Sequence, residues 1–189
     1  MAWNGDLAAV VLAGGAATRL GGVDKARVEV HGRTLLQHTL AAVGEASPLV
    51  VVGPPRETDR PVRWTLESPA GGGPLAAIDA GLRAMPECRG PVAVVAVDHP
   101  CVTDETVCRL LTALRAEPGA TGAVLDDGRM QWLLGVWQSE TLRAVMPEQV
   151  SGRSVRAVLS ELRPTRVPAK GAEASDVDTP GDARSFDAR

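Results

Sequence analysis

Between Leu12 and Lys25 the chain reads LAGGAATRLGGVDK, with four glycines, one arginine and one lysine in a stretch too polar to be core. Glycines let a backbone adopt positive φ and bring N–H groups close around an anion. Arg19 adds a planar donor fork and Lys25 a compact point charge. Together these types suit a polyphosphate. Two common phosphate loops are excluded by spacing. No Gly-Lys-Ser/Thr tripeptide occurs, and adjacent glycines break the Gly-x-Gly-x-x-Gly fingerprint. A second chemical group is Asp98, which directly follows the apolar run 92–97. Such a carboxylate can bind Mg2+ together with phosphates and water, or can simply form a turn stabilised by neighbouring N–H groups.

For these groups to meet, the glycine loop and Asp98 must leave the same edge of one sheet. Residues 7–12 form a continuous run of small apolar side chains, the pattern of a strand buried on both faces. Residues 48–52 and 92–97 repeat it, and 62–66 repeat it more weakly. Helical spacing covers 33–45 and 74–85, with Pro74 in a first turn and Pro86 just past the end. Thr103 caps a further helix that runs to residue 116. Residues 123–125 and 132–137 flank the turn signal Asp126-Asp127-Gly128-Arg129 and read as a hairpin-like pair. Helices over 139–145 and 153–162, a strand over 165–167 and a short helix after Thr179-Pro180 follow. Residues 56–61 read as a mobile connection. This alternation predicts an α/β chain with a mostly parallel sheet covered on both faces and at least one reversed strand. Sheets of this kind bind ligands beyond the carboxyl ends of their strands, where the loop and Asp98 both fall.

The 189 residues suit one domain with a full core. A hydrophobic content of 44% and a charged content of 23% are ordinary for a globular chain. The net charge of −3 supplies no global basic field for nucleic acid or an anionic membrane. Cys88, Cys101 and Cys108 form neither a Cys-x-x-Cys pair nor a zinc spacing. A cytoplasmic, reducing setting is therefore expected, with these thiols packed as small apolar groups. Residues 1–6 lack the pattern of a signal peptide, and no apolar run approaches the ~18 residues of a membrane span.

The glycine segment resembles the signature of nucleotidyltransferases that transfer NMP from an NTP. That signature is matched by Leu12, Gly14, Gly15, Arg19, Leu20, Gly21, Asp24 and Lys25. Three further segments resemble the molybdenum cofactor guanylyltransferase family: Gly72-Gly73-Pro74-Leu75-Ala76-Ala77, Val94-Val95-Ala96-Val97-Asp98-His99-Pro100 and Asp176-Val177-Asp178-Thr179-Pro180. The resemblance runs in order along essentially the whole chain. It implies a Rossmann-like three-layer sandwich with a mostly parallel sheet, of the nucleotide-diphospho-sugar transferase type. The implied reaction joins GMP from GTP to a molybdopterin cofactor, releasing pyrophosphate with the help of Mg2+. Transient contacts with cofactor-handling proteins would accompany such a role. A cytidylyl- or sugar-phosphate nucleotidyltransferase, or a non-catalytic nucleotide-binding regulator of the same fold, stands as the alternative. Related cytidylyltransferases usually carry a Gly-Met-Ser-like run at the Gly-Pro-Leu position, which favours guanine here.

Under the resemblance, Arg19 and the backbone of Leu12, Ala13, Gly14 and Gly15 hold phosphates. Lys25 neutralises charge at the α-phosphate, and Asp98 binds Mg2+. Asp178 reads two ways: as a second carboxylate near Mg2+, or as part of a helix start capped by Thr179. Glu67 and Gly73 are assigned to the base or ribose, although Glu67 also fits a solvated strand end and Gly73 a plain helix start. For the acceptor, Arg153 and Arg156 offer cations near a helix N-terminus, Arg153 being preferred. Gln131, Trp132 and Trp137 are candidates for the acceptor pocket, though tryptophans on alternating strand positions also read as core. His31, His38 and His99 lack metal-ligand spacing. The chain departs from the family pattern at Ala16, at Gly53 where asparagine is frequent, and at Glu67 near an expected aspartate. It also departs at Ala77 for a usual glycine and at Trp132 for a common proline. These positions bear on base and acceptor more than on nucleotidyl transfer.

Overall fold

The computed structural model describes residues 7–14 and 24–188. The chain runs β1 (Ala8–Leu12), a 3-10 turn (Lys25–Arg27), β2 (Glu29–Val30), β3 (Arg33–Thr34), α1 (Leu35–Ala42), β4 (Leu49–Val52), β5 (Arg63–Thr65) and α2 (Pro74–Arg83). It continues through β6 (Pro91–Ala96), α3 (Asp104–Ala116), β7 (Gly122–Asp126), β8 (Met130–Gln138), α4 (Ser139–Ala144), α5 (Val155–Leu159), β9 (Thr165–Pro168) and α6 (Pro180–Asp187). Seven strands make one sheet in the order β5-β4-β1-β6-β8-β7-β9, and β8 alone runs against the others. The reversed strand is the second arm of the expected hairpin.

Strand side chains alternate between faces, so each central strand feeds two cores. Ala9 and Val11 of β1 join Leu35, Leu40, Leu110 and Leu114 beneath α1 and α3. Ala8, Val10 and Leu12 join Leu75, Ile78 and Leu82 beneath α2. Each such leucine, once fully buried, contributes about 2 kcal/mol. The result is the expected three-layer arrangement. Register then sets the functional edge. Leu12 lies level with Val52 on one side and Ala96 on the other. The segments leaving β1, β4 and β6 therefore emerge together.

Local chemistry moves some boundaries. The helix expected over 33–45 begins only at Leu35, because Thr34 is its N-cap: the Thr34 hydroxyl accepts from Gln37 N–H while the Gln37 side chain accepts from Thr34 N–H. The small β2–β3 hairpin went unread, since two-residue strands show no periodicity. The helix expected over 153–162 is α5 followed by a 3-10 turn (Ser160–Leu162). Residues 56–61, expected as a mobile connection, are held to the body by side-chain hydrogen bonds. The Arg60 guanidinium donates to the carbonyls of Gly44 and Ala46, and Thr58 Oγ1 donates to the Arg60 carbonyl at 2.8 Å. Cys88 is buried, and Cys101 and Cys108 pack against the core. Among the described residues no helix is long and apolar enough to cross a membrane.

Candidate active site

Asp98 lies just past β6, where Val97 N–H still donates to the Leu12 carbonyl at 3.2 Å. The Asp98 carbonyl accepts from Val177 N–H at 2.8 Å, which brings the late Asp-x-Asp-Thr-Pro segment to the same edge. Lys25 opens the 3-10 turn, anchored by Asp24, whose carboxylate accepts from Ala26 N–H. Across these three segments Lys25 Nζ donates to Asp178 Oδ1 at 2.7 Å and to Asp98 Oδ2 at 3.1 Å. The three side chains are only 22%, 43% and 26% exposed, respectively.

Burial is the strongest single influence on Lys25 and favours the neutral amine. The hydrogen bonds and charges of Asp178 and Asp98 together outweigh it and hold the pKa above the ordinary lysine value. Lys25 is thus favoured as the ammonium. One cation facing two carboxylates leaves these three groups with a net negative charge. Among the described residues Asp98 Oδ1 is buried with no hydrogen-bond partner. His99 Nε2 sits 3.3 Å away but is not aligned to donate to it. Capping α6 does not consume Asp178. Thr179 Oγ1 accepts from Asp182 N–H, and Asp182 Oδ2 takes the N–H groups of Asp178 and Thr179. The motif is a helix cap that leaves the Asp178 carboxylate facing Lys25.

Lys25, Asp98 and Glu67 are the charged residues lining a cavity of about 550 Å³. Leu12, Val52, Leu66, Pro74, Ala77 and Leu133 supply apolar sides. A cavity of this volume, mostly apolar with a few charged groups, fits a nucleotide. Glu67 Oε1 accepts from Gly71 N–H at 2.9 Å, closing the loop that leads into α2. Gly73 precedes α2 at φ +91, a conformation that favours glycine. At Gly53, with φ +153, an added Cβ would lie 2.9 Å from the Ala13 carbonyl. The close approach of the chains after β1 and β4 explains the glycine where the family pattern often has asparagine.

Of the residues singled out from sequence, Leu12, Gly14, Lys25, Glu67, Gly73 and Asp98 line this cavity, and Asp178 joins through Lys25. Ala13 does not line it. Its N–H donates to Val52, and its carbonyl accepts from Arg56. Gly15, Ala16 and Arg19 lie outside the described residues. Arg153 is exposed and does not line the cavity; its neighbour Gly152 donates its N–H to the Gly72 carbonyl at 2.8 Å. Gln131 does not line the cavity either; its amide donates to Asp127 across the β7–β8 turn at 3.0 Å. Trp137 is fully buried core. His38 Nε2 contacts the Val30 carbonyl at 2.8 Å, away from the cavity lining. Among the described residues no group of three or more His, Cys, Asp and Glu side chains is arranged to hold a metal by itself.

Sequence reasoning missed Arg56. Its Nε and Nη2 grip the two Asp24 oxygens at 2.7 Å each, and Nη2 also reaches the Ala13 carbonyl at 3.3 Å. Nη1 donates to Pro54 at 2.8 Å, and the guanidinium lies 6.0 Å from the Trp64 ring centre. These bonds hold the Asp24 carboxyl below its usual range. Arg56 thereby ties the residue before the glycine loop to the one after it, and so fixes the start of the turn carrying Lys25. No local spacing signals such a role, because the contact spans 32 positions.

The family model described as "MobA-like NTP transferase domain" matches residues 9–167. The chain belongs to this family. It is 37% identical to the molybdenum cofactor guanylyltransferase of Acidiphilium cryptum, over 69% of this chain and 66% of that protein. It thus spans slightly under two thirds of that relative's length. Among solved structures, molybdopterin-guanine dinucleotide biosynthesis protein A from Archaeoglobus fulgidus superposes with a TM-score of 0.69 at 21% identity, covering 95% of this chain and 96% of that one. The 4-diphosphocytidyl-2C-methyl-D-erythritol synthase of Anaerococcus prevotii gives 0.72 at 16% identity, covering 97% and 95%. These two likenesses establish the fold, which hosts guanylyl and cytidylyl proteins alike by name.

Proposed function

We propose that this chain transfers GMP from GTP to the terminal phosphate of a molybdopterin cofactor, releasing pyrophosphate. The observation that carries this reading is the Lys25 ammonium held between Asp98 and Asp178 at a nucleotide-sized cavity. Attack at an α-phosphorus builds negative charge on phosphoryl oxygens, so positioned cations lower the barrier without a covalent protein nucleophile. In this reading Lys25, held as an ammonium by two carboxylates, meets that charge, and Arg19 and the loop amides take the outer phosphates. The acceptor phosphate is already anionic near neutral pH and needs no strong base. In this reading the apolar walls and Glu67 receive the base, and Arg153 meets the acceptor.

The residues present fit Mg2+. The Asp98 and Asp178 carboxylates, with Asp98 Oδ1 buried and without a hydrogen-bond partner among the described residues, offer the oxygen donors that this ion takes alongside phosphates and water. Asp98 and Asp178 would hold it, and when bound it supplies charge neutralisation on the phosphates.

The test is a matrix of GTP, CTP, ATP and UTP against molybdopterin with Mg2+, read as pyrophosphate and dinucleotide product. Product with GTP alone is expected. Product with CTP instead would reassign the base, and nucleotide binding without turnover would make the chain a regulator.

A further inference from the structure

Among the described residues five polar or charged ones are buried, and four of them are satisfied. Thr39 Oγ1 donates to the Leu35 carbonyl at 3.0 Å, Ser139 Oγ to the Cys88 carbonyl at 3.1 Å and Thr106 Oγ1 to Glu173 at 2.6 Å. Glu173 also holds Arg109. The fifth is His99. Its side chain is only 10% exposed, and among the described residues its Nδ1 is buried without a hydrogen-bond partner. Buried polar groups are almost always paired, so an exception of this kind needs a reason.

The reason lies beside it. Asp98 Oδ1 is likewise buried without a donor among the described residues, and His99 Nε2 stands 3.3 Å from it. A group able to donate thus faces one able to accept, with only the N–H direction out of line. The backbone on either side is pinned. Val97 N–H donates to the Leu12 carbonyl at 3.2 Å, Val177 N–H to the Asp98 carbonyl at 2.8 Å and Val102 N–H to the His99 carbonyl at 3.2 Å. Side-chain rotation is the remaining freedom. The terminal torsions of aspartate and histidine are broad, so a modest turn of either plane closes the contact. Hydrogen bonds at reaction sites are often misaligned before substrate arrives and tighten in the complex. Because Nδ1 has no acceptor, a ring proton is better placed on Nε2, where Asp98 takes it.

Lys25 does not fix the Asp98 carboxylate by itself. Its ammonium ends a flexible four-carbon stem, and its shorter bond goes to Asp178, at 2.7 Å against 3.1 Å. One contact on Oδ2 leaves the carboxylate free to turn about it, whereas a second on Oδ1 sets its plane.

We propose that His99 is a positioning residue for Asp98: its Nε2–H closes on Oδ1, fixes the carboxylate plane and holds Oδ2 toward Lys25. Each carboxylate oxygen accepts two partners, so Oδ1 keeps one position for a further ligand. The hydrogen bond needs no ligand; its consequence for Mg2+ rests on the transfer function proposed above.

The direct test labels the histidine rings with nitrogen-15 and identifies which ring nitrogen of His99 carries a proton, its signals being assigned by their loss in His99→Leu. The expected result is a protonated Nε2 whose proton signal shifts when the acceptor is removed in Asp98→Ala. A bare Nε2, or a proton signal indifferent to that change, overturns the proposal. The consequence is read with Mn2+ alone, an electron-spin probe that takes the same octahedral oxygen sites as Mg2+. His99→Leu should weaken Mn2+ binding about tenfold with no fall in thermal midpoint. His99→Gln, whose amide nitrogen reaches the place of Nε2, should restore binding to within about twofold. Unchanged Mn2+ binding in His99→Leu, or an equal loss in both variants, overturns the proposal. So does a lowered melt with Mn2+ binding kept, the mark of a core residue only. If the unaltered protein binds Mn2+ but transfers no nucleotide, the transfer reading fails, and the ring nitrogens and Mn2+ still judge His99. If it binds no Mn2+, the Mg2+ reading fails, and the ring nitrogens decide the role of His99.

Discussion

Two ion clusters fasten the same C-terminal stretch to the body of the protein, and they are built on opposite principles. Glu173, 7% exposed, takes Thr106 Oγ1 at 2.6 Å, the two Arg109 nitrogens at 2.7 and 2.8 Å, and Lys170 N–H at 2.7 Å. Burial is the strongest influence on it and opposes ionisation. The hydrogen bonds from Arg109, Thr106 and Lys170 together win and hold its pKa down at about 2. Every oxygen there is satisfied, and nothing remains to bind. In the Lys25 cluster Asp98 and Asp178 both accept from the same ammonium, and among the described residues Asp98 Oδ1 is buried without a hydrogen-bond donor. A saturated buried cluster holds a fold in one arrangement. An undersatisfied one in a cavity keeps capacity for a ligand and leaves that capacity unspent until the ligand arrives.

The sharpest way to break this contrast is Asp98→Asn, which should cut pyrophosphate release by about a thousandfold, or about 4 kcal/mol of barrier, without moving the thermal midpoint. Undiminished turnover would remove Asp98 from the chemistry. Glu173→Gln should do the reverse: urea unfolding should show a loss of about 3 kcal/mol, with activity per folded molecule intact. The pH dependence has the same origin. A carboxyl lowered from 4.5 to about 2 contributes its full stability above pH 4.5 and loses it as pH falls toward 2. The unaltered protein should therefore weaken by about 3 kcal/mol across that window, and Glu173→Gln should flatten the slope. Lys25→Ala should follow, lowering turnover about a hundredfold in the pyrophosphate assay. The smallest effect is expected for Arg56→Lys. Lysine keeps the charge but not the fork, so nucleotide KM should rise about fivefold while kcat and the melt hold. A fall in kcat equal to that of Lys25→Ala would mean that Arg56 touches the reacting phosphates itself.

Much of this was legible in one dimension because it is local. The apolar runs of β1, β4 and β6, the Thr103 and Thr179 caps, and the turn at Asp126-Asp127-Gly128-Arg129 each carry their own physical signal. So did Lys25 and Asp98, through motif spacing and their positions after buried strands. Arg56 and Glu173 were not legible. Each sits in a segment whose composition reads as loop, and each acts on a residue 32 or more positions away. Gln131 shows a local effect that spacing does not display: its amide donates to Asp127 four residues away across the turn.

From the sequence alone came the elements, their caps, the phosphate-suited loop and the identity of the charged residues, because hydrophobic period, capping and glycine spacing act over a few residues. Only the tertiary structure decided that Asp178 faces Lys25 rather than its helix, that Arg56 clasps both ends of the glycine loop, and that His99 is buried against Asp98. Those outcomes depend on strand register, which is set by packing between segments far apart in the chain.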